Sequence, residues 1–358
     1  MVPRRQGPHI PVGGDGRATV LAGDLTMRSS PLFRPALPLN LTCMAYWQHT
    51  PDGFADRLGE IADLFVASRD AFFDSADRFH WSPAPESPAA QAAAELPSPD
   101  LAVSTPRGET GHRLVAEVVQ TYLLTASGHL GGLASLYRSG EVIFPTPALI
   151  RSTIENCAHA VWVLGEDTDD SPENRLARAY LEELVSAEEA KKNAGRMRDK
   201  AHPSYVSANR YYKALKAEIL ERFPGTTPAS LGGAPRTLIG QSLPNLEAAV
   251  EWMYELTKSY GGTIDGRTAT GIYGYLSNMT HPTLYPAQQR REWTSDPAAG
   301  HPVAHLRVDL GSTETEARAA LAAFYNALTY TTSYFGWPTT VVDHLTATID
   351  ESMPTFFV

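Results

Sequence analysis

Two rows of polar residues, each at four-residue spacing on a predicted helix, have the side chains best suited to chemistry. The first row lies in the stretch TGIYGYLSNMTHPTLY and consists of Tyr273, Ser277 and His281. Residues four apart share one face of an α-helix, so a phenol, a hydroxyl and an imidazole would line up. This set suits general acid–base work, because histidine titrates near neutral pH. The alternative interpretation is a structural helix end, in which His281 caps carbonyl groups and Pro282 stops the helix.

The second row consists of Arg151, Glu155 and His159, within the stretch PALIRSTIENCAHAVWVLG. The rest of this predicted helix is apolar almost all round, which is typical of a buried helix. A charged stripe on a buried helix must be paired or must line a cavity, because an unpaired buried charge is costly. The alternative is an ordinary Arg–Glu pair at a solvated edge.

If the two rows face each other, they predict a polar pocket between helices 146–165 and 264–281. In this hypothesis Glu155 or His281 moves a proton, Tyr273 donates a hydrogen bond, and Arg151 binds an anionic group or orients Glu155. His129 lies among the glycines of SGHLGG, where a close approach by a ligand is feasible. The predicted substrate-binding residues are therefore Arg151, Ser277, His159, His129 and Trp162.

The acidic stretch GEDTDDSPEN begins where the 146–165 helix ends. Its Asp169 and Asp170 resemble the magnesium-binding carboxylates of class I terpene synthases, and that resemblance implies Mg²⁺-dependent chemistry on a prenyl diphosphate. The other interpretation is a helix start, with Asp170 or Ser171 as the N-cap and Pro172 in the first turn. Outside the terpene-synthase alternative, no metal site or cofactor is predicted.

The two rows are also similar to segments of uncharacterised actinobacterial all-helical proteins, which carry an Arg-x-x-x-Glu helix and a Tyr-x-x-x-Ser-x-x-x-His segment. Some of these proteins look distantly like HEPN nucleotide-binding and ribonuclease domains. The resemblance implies an RNA-targeting or defence protein as an alternative function. The nearest arginine before His281, Arg267, lies further upstream than the HEPN ribonuclease hallmark places it. The positions that match the resemblance are Arg151, Glu155, Tyr273, Ser277 and His281.

Composition narrows the class of protein. The chain has 358 residues, a net charge of -10 and a pI near 5.6, so nucleic acid is an unlikely general partner. No apolar segment is long enough to cross a membrane and no secretory signal is present, which predicts a soluble cytoplasmic protein. The chain has two cysteines, and Cys157 fits a helix core. The P-loop, GxGxxG, GxSxG and HExxH motifs are missing from the sequence.

Hydrophobic periodicity predicts an all-α fold, an irregular multi-helix bundle with at most a minor β-hairpin near 303–310. Residues 1–50 are predicted to be an irregular lead-in, residues 51–358 a single helical domain, and residues 82–108 a Pro/Ala-rich loop within it. The predicted helices lie near 51–81, 109–139, 146–165, 171–200, 205–223, 244–260, 264–281, 312–337 and 340–350.

The leading functional hypothesis is a soluble helical enzyme that acts on a small organic molecule in specialised metabolism. Three alternatives stay open: the HEPN-like protein, the terpene-synthase-like enzyme and a non-catalytic helical interaction protein. The last predicts an exposed apolar patch instead of an enclosed polar cavity. The sequence also leaves a homo-oligomer open.

Overall fold

The computed structural model describes residues 53–97, 109–166, 170–259, 261–262, 264–296, 301–306 and 308–357. The predicted lead-in at 1–50 lies outside these residues. The described residues form twelve helices and two small two-stranded sheets, which confirms the all-α bundle. The helices are α1 Phe54–Phe79, α2 Pro88–Glu95, α3 His112–Ser139, α4 Thr146–Leu164, α5 Pro172–Met197, α6 Pro203–Arg222, α7 Pro228–Gly232, α8 Leu246–Ser259, α9 Gly266–Thr280, α10 Tyr285–Gln289, α11 Leu310–Phe335 and α12 Thr340–Ser352.

Helix α4 is the centre of the bundle. It packs against α3, α11, α8, α9 and α5. Its Ile150, Cys157 and Val161 have no solvent exposure, as the continuous apolar pattern predicts. Burial raises the pKa of the Cys157 thiol, so this cysteine stays protonated and serves as a core residue. A polar side chain on α4 must therefore find its partner on a neighbouring helix.

The small residues in the middle of α3 allow close packing against α4. A Cβ atom placed on Gly132 would lie 3.1 Å from Cδ1 of Leu149, tighter than ordinary van der Waals contact. Helix α3 continues without a break through this position. Gly132 thus allows α3 and α4 to approach each other closely.

One helix forms inside the segment predicted as a Pro/Ala-rich loop. The Ser87 hydroxyl accepts a hydrogen bond from the Ala90 N–H at 3.1 Å and caps α2. Pro88 occupies the first turn, where its fixed φ suits a helix, and the following alanines have the highest helix propensity. The loop prediction for residues 82–108 is therefore wrong over Pro88–Glu95.

The predicted strand near 303–310 begins two residues earlier and has a partner. Strand β4, His301–Leu306, pairs antiparallel with β3, Arg291–Asp296. The β3 residues, REWTSD, are mostly polar and lack the alternation that identifies a strand, so the sequence pattern does not indicate this strand. Strands β1, Thr237–Leu238, and β2, Gln241–Ser242, form a second short hairpin after α7.

Helix α9 carries the first polar row and ends as predicted. Asp265 caps its N-terminus by accepting from the Thr268 N–H at 2.8 Å. His281 is its C-cap, with a backbone N–H that donates to the Ser277 carbonyl at 3.2 Å. Helix α9 packs against α4 and α8.

Candidate functional site

The two predicted rows meet where α9 packs on α4. The Tyr273 hydroxyl donates to Oε1 of Glu155 at 2.9 Å, and Nε of Arg151 donates to the same oxygen at 2.8 Å. Nη2 of Arg151 also donates to the Tyr273 oxygen at 3.0 Å. The three groups form a closed triangle of hydrogen bonds, which we call the α4–α9 cluster.

The C-terminal end of α9 extends this cluster toward solvent. Nη1 of Arg151 donates to Oγ1 of Thr280 at 2.9 Å and lies 3.5 Å from Nε2 of the exposed His281. Ser277 accepts a hydrogen bond from the Thr280 hydroxyl through its backbone carbonyl, at 2.8 Å. The structure thus brings Arg151, Glu155, Tyr273 and His281 together, and Ser277 contributes a backbone acceptor.

The α4–α9 cluster is partly screened from water, with side-chain exposures of 17% for Arg151 and 18% for Glu155. Burial and then the hydrogen bond and charge of Glu155 raise the pKa of Tyr273, while Arg151 opposes this rise. Tyr273 therefore remains a protonated hydrogen-bond donor at neutral pH. Arg151 and Tyr273 already donate to acceptors within the cluster. These hydrogen bonds hold α4 and α9 in register.

His159 belongs to a separate network between α4 and α5. Its Nδ1 lies 2.5 Å from Oε1 of Glu182, and the Tyr122 hydroxyl donates to Oε2 of Glu182 at 2.7 Å. Burial lowers the pKa of His159, but the hydrogen bond and charge of Glu182, with the charge of Glu155, outweigh it. The pKa of His159 is therefore raised above its ordinary value, and the histidine is paired with Glu182 inside the bundle.

The other predicted residues lie elsewhere. His129 is half-buried on α3, where burial lowers its pKa. Trp162 is buried near the C-terminus of α4.

In the acidic stretch, Asp170 is paired with Arg178, and Nη1 of Arg178 lies 2.5 Å from Oδ2 of Asp170. Asp169 lies outside the described residues. Ser171 caps α5 by accepting from the Asn174 N–H, which matches one of the two predicted caps.

A different group of polar residues lines a cavity of about 890 Å³ on the far side of α9. Nη2 of Arg290 donates to Oε1 of Glu316 at 2.6 Å and to the Tyr275 hydroxyl at 2.8 Å. Nη1 of Arg290 donates to the Ile143 carbonyl at 2.8 Å. We call Tyr275, Arg290 and Glu316 the cavity trio. It joins α9, the residue after α10, and α11.

The carboxyl of the cavity trio is more buried than that of the α4–α9 cluster, with a side-chain exposure of 8% for Glu316 against 18% for Glu155. Burial raises the pKa of Glu316, although Arg290 and Tyr275 both lower it. Burial and then the charge of Glu316 raise the pKa of Tyr275, against Arg290. A carboxyl whose pKa is raised on the wall of a cavity is a candidate proton donor or acceptor.

Sequence reasoning missed the cavity trio because its members carry no spacing signal. Glu316 lies in STETEARAALAAF at the polar start of a helix, beside Glu314, and Arg290 lies in a segment without periodicity. Tyr275 follows Tyr273 by two residues, which places it on the other side of the helix. Four-residue spacing therefore identifies the face of α9 that carries Tyr273 and not the face that carries Tyr275.

Comparisons with protein families, curated proteins and solved structures give no match for this chain. Within the described residues, no group of three or more His, Cys, Asp and Glu side chains is arranged to hold a metal ion. None of the helices among those residues combines the length and apolar character needed to cross a membrane.

Proposed function

We propose that this protein is a helical enzyme that acts on a small organic molecule by general acid–base catalysis. The observation that carries the proposal is the position of Glu316, a buried carboxyl held by Arg290 and beside Tyr275 on the wall of the 890 Å³ cavity. Ligand pockets for small molecules have volumes of about 300–1,000 Å³ and few, well-placed polar groups.

Each member of the cavity trio has a distinct role in this proposal. Glu316 transfers the proton, because a raised pKa brings a carboxyl closer to the neutral range in which acid–base catalysis is efficient. Arg290 fixes the Glu316 carboxyl through its hydrogen bond and anchors itself on the Ile143 carbonyl. The Tyr275 phenol has a raised pKa and stays protonated, and in this proposal it donates to a substrate oxygen in place of its present hydrogen bond with Glu316.

The α4–α9 cluster has a supporting role in this proposal. Tyr273 and Tyr275 stand on opposite sides of α9, so the bonds from Tyr273 to Glu155 and Arg151 fix the helix whose other side forms the cavity wall. A general base must be held close to its productive geometry. The competing location for the chemistry is the cluster itself, with Glu155 as the proton-transferring group.

A matched pair of isosteric variants tests the proposal and separates the two locations. Wild type, Glu316→Gln and Glu155→Gln are each incubated with a defined library of small organic acids, esters and amides. Turnover is followed by mass spectrometry. We expect at least one compound to be consumed by wild type and Glu155→Gln, with the rate falling by about 10²–10⁴-fold in Glu316→Gln.

Binding to the cavity is measured separately from turnover. Ile272 lines the cavity, and Ile272→Trp is expected to fill part of it and remove ligand-observed NMR signals from the compounds that are turned over. Far-UV circular dichroism verifies that each variant is folded. Turnover that survives Glu316→Gln and disappears in Glu155→Gln would move the chemistry to the α4–α9 cluster. A library without any consumed or bound compound would contradict the proposed class.

A further inference from the structure

The C-terminal half of α5 and the N-terminal half of α6 form a helical hairpin that extends beyond the core. None of residues 188–214 is buried, whereas Ala187 and Leu215, on either side of this range, are buried. The two helices run antiparallel and pack on each other, because a Cβ atom placed on Gly195 of α5 would lie 3.1 Å from the Tyr205 ring of α6. Helix α6 packs mainly against α5. We call residues 188–214 the basic arm.

The basic arm carries positive charge in an acidic chain. Residues 188–214 contain seven Lys and Arg and three Asp and Glu, a net charge of +4 in a chain whose total is -10. Two of the acids, Glu188 and Glu189, lie at the base of the arm, where both pair with Lys192. Beyond Lys192, the arm has six Lys and Arg and a single acid, Asp199. The surplus of positive charge therefore lies on the part of the arm that is remote from the core.

Five of these six cations are exposed, and none of the five forms an ion pair with another described residue. The sixth, Lys191, lies over the Tyr212 ring, with its Nζ 3.9 Å from the ring centroid. Like charges gathered on one projection repel each other, and a surface of opposite charge relieves that repulsion. The five exposed cations are Arg196, Arg198, Lys200, Arg210 and Lys213.

Two exposed apolar side chains lie among these cations, near the turn of the hairpin. Met197 is 75% exposed and Val206 is 41% exposed. Met197 lies between Arg196 and Arg198, and Val206 lies one helical turn before Arg210. Apolar side chains beside cations match the boundary between lipid headgroups and acyl chains. The phosphate backbone of a nucleic acid, by contrast, is contacted by the cations alone.

We propose that the basic arm docks on the surface of an anionic lipid bilayer. The five exposed cations contact the acidic headgroups, and Met197 and Val206 enter the layer beneath them. The contact is peripheral and reversible, because the turn of the arm presents only these two large apolar side chains to the bilayer. The inference is independent of the proposed function, since it concerns other residues and predicts binding without turnover.

Sedimentation of the full chain with lipid vesicles tests the proposal. One set of vesicles contains phosphatidylcholine alone, and the other contains about 30% phosphatidylserine as well. At about 0.1 M salt we expect at least tenfold stronger binding to the anionic vesicles, and weaker binding as the salt concentration rises. No sedimentation with the anionic vesicles, or equal binding to the two compositions, would overturn the proposal.

A matched pair of double variants assigns the binding to the basic arm. Arg198→Gln/Lys200→Gln removes two cations near the turn and is expected to weaken vesicle binding about 25-fold, at about fivefold for each cation. The control, Arg78→Gln/Arg267→Gln, removes the same charge from exposed positions on α1 and α9. We expect it to weaken binding less than about threefold, because charges further from the bilayer than a Debye length are screened. If the two double variants bind alike, the contact does not involve the arm and the proposal fails.

The variant Met197→Ser/Val206→Ser separates a bilayer from a nucleic acid as the partner. It keeps every charge and removes apolar surface from two exposed positions, and circular dichroism verifies its fold. We expect binding to the anionic vesicles to fall about tenfold. A fluorescein-labelled single-stranded RNA is titrated in parallel by fluorescence anisotropy. RNA binding that is tighter than vesicle binding, and is unchanged in this variant, would refute the proposal and assign the arm to a nucleic-acid backbone.

Discussion

Tyr273 on α9 donates a hydrogen bond to Glu155 on α4 across 2.9 Å, although the two residues are 118 positions apart in the chain. The acceptor is Oε1, the same oxygen that receives Nε of Arg151 from one turn earlier on α4. Oε1 of Glu155 thus links a side-chain pair within α4 to α9, a helix that is distant in the sequence. Disturbing either donor is expected to affect both contacts.

Tyr273→Phe is expected to lower the free energy of unfolding by about 1–2 kcal/mol. The substitution keeps the ring and removes the hydroxyl, which leaves Glu155 and Arg151 each without one partner in a partly buried place. Urea denaturation followed by circular dichroism measures the change. The control is Tyr285→Phe, at a tyrosine that is 40% exposed on α10 and is expected to change stability by less than about 0.5 kcal/mol. Equal stability of the two variants would show that the Tyr273 hydroxyl adds nothing to the free energy of unfolding.

A double-mutant cycle with Glu155→Gln and Tyr273→Phe is expected to be non-additive. Both substitutions weaken the same hydrogen bond, so the second costs less once the first is present. We expect a coupling free energy of about 1 kcal/mol from four urea unfolding curves. Additive effects would mean that Glu155 interacts with Arg151 alone.

Local rules predicted every helix of the described residues except the short α2, α7 and α10, and they predicted the faces on which the polar rows lie. Four-residue spacing places Tyr273 and His281 on one side of α9, and the apolar run predicts the buried α4. Which side of α9 faces α4, and which forms the cavity wall beside Tyr275, depends on the packing of helices far apart in sequence. No periodicity within one helix contains that information.

The start of α11 shows the same limit of prediction from local sequence. The sequence offers Asp309, Ser312 and Thr313 as N-caps for α11. The structure uses Asp309, whose Oδ2 accepts from the Ser312 N–H at 2.7 Å. The three residue types are nearly equal as N-caps, so tertiary packing around the first turn decides among them.

His159 is expected to make stability depend on pH above its ordinary pKa of 6.5. Burial lowers its pKa, but Glu182 and Glu155 raise it above the ordinary value of 6.5, so the folded state keeps a proton that the unfolded state releases. This stabilisation is complete below about pH 6.5 and is lost as the pH rises through the raised pKa. The difference in unfolding free energy between wild type and His159→Gln should therefore fall as the pH increases from 6 to 9.

His129 provides a control of opposite sign. Burial lowers its pKa below 6.5, so the unfolded state binds the proton more readily than the folded state. The stability difference between wild type and His129→Gln should rise with pH up to about 6.5 and then stay level. A slope of the same sign for both histidines would contradict the assigned environments.

Glu316→Gln is expected to remove a pH dependence at the acidic end. Burial raises the Glu316 pKa above its ordinary 4.5, so the folded state binds a proton more tightly than the unfolded state. The contribution of Glu316 to stability is greatest below about pH 4.5 and falls as the pH rises through the raised pKa. The urea midpoint of wild type minus that of the variant, measured between pH 4 and 8, should fall as the pH rises. Midpoint differences independent of pH would mean that Glu316 is not shielded from water.

Gly165→Ala is expected to destabilise the protein, whereas Gly128→Ala should stabilise it. Gly165 ends α4 with φ 88° and ψ 179°, a conformation available almost only to glycine, and a Cβ there would collide with Asp170 and Arg178. The expected loss is about 1–3 kcal/mol. Gly128 lies within α3 with nothing within 4 Å of an added Cβ, so alanine should gain about 0.5–1 kcal/mol from helix propensity. Thermal and urea unfolding measure the stability of both variants relative to wild type. If Gly165→Ala is as stable as wild type, the Asp170–Arg178 pair is free to move.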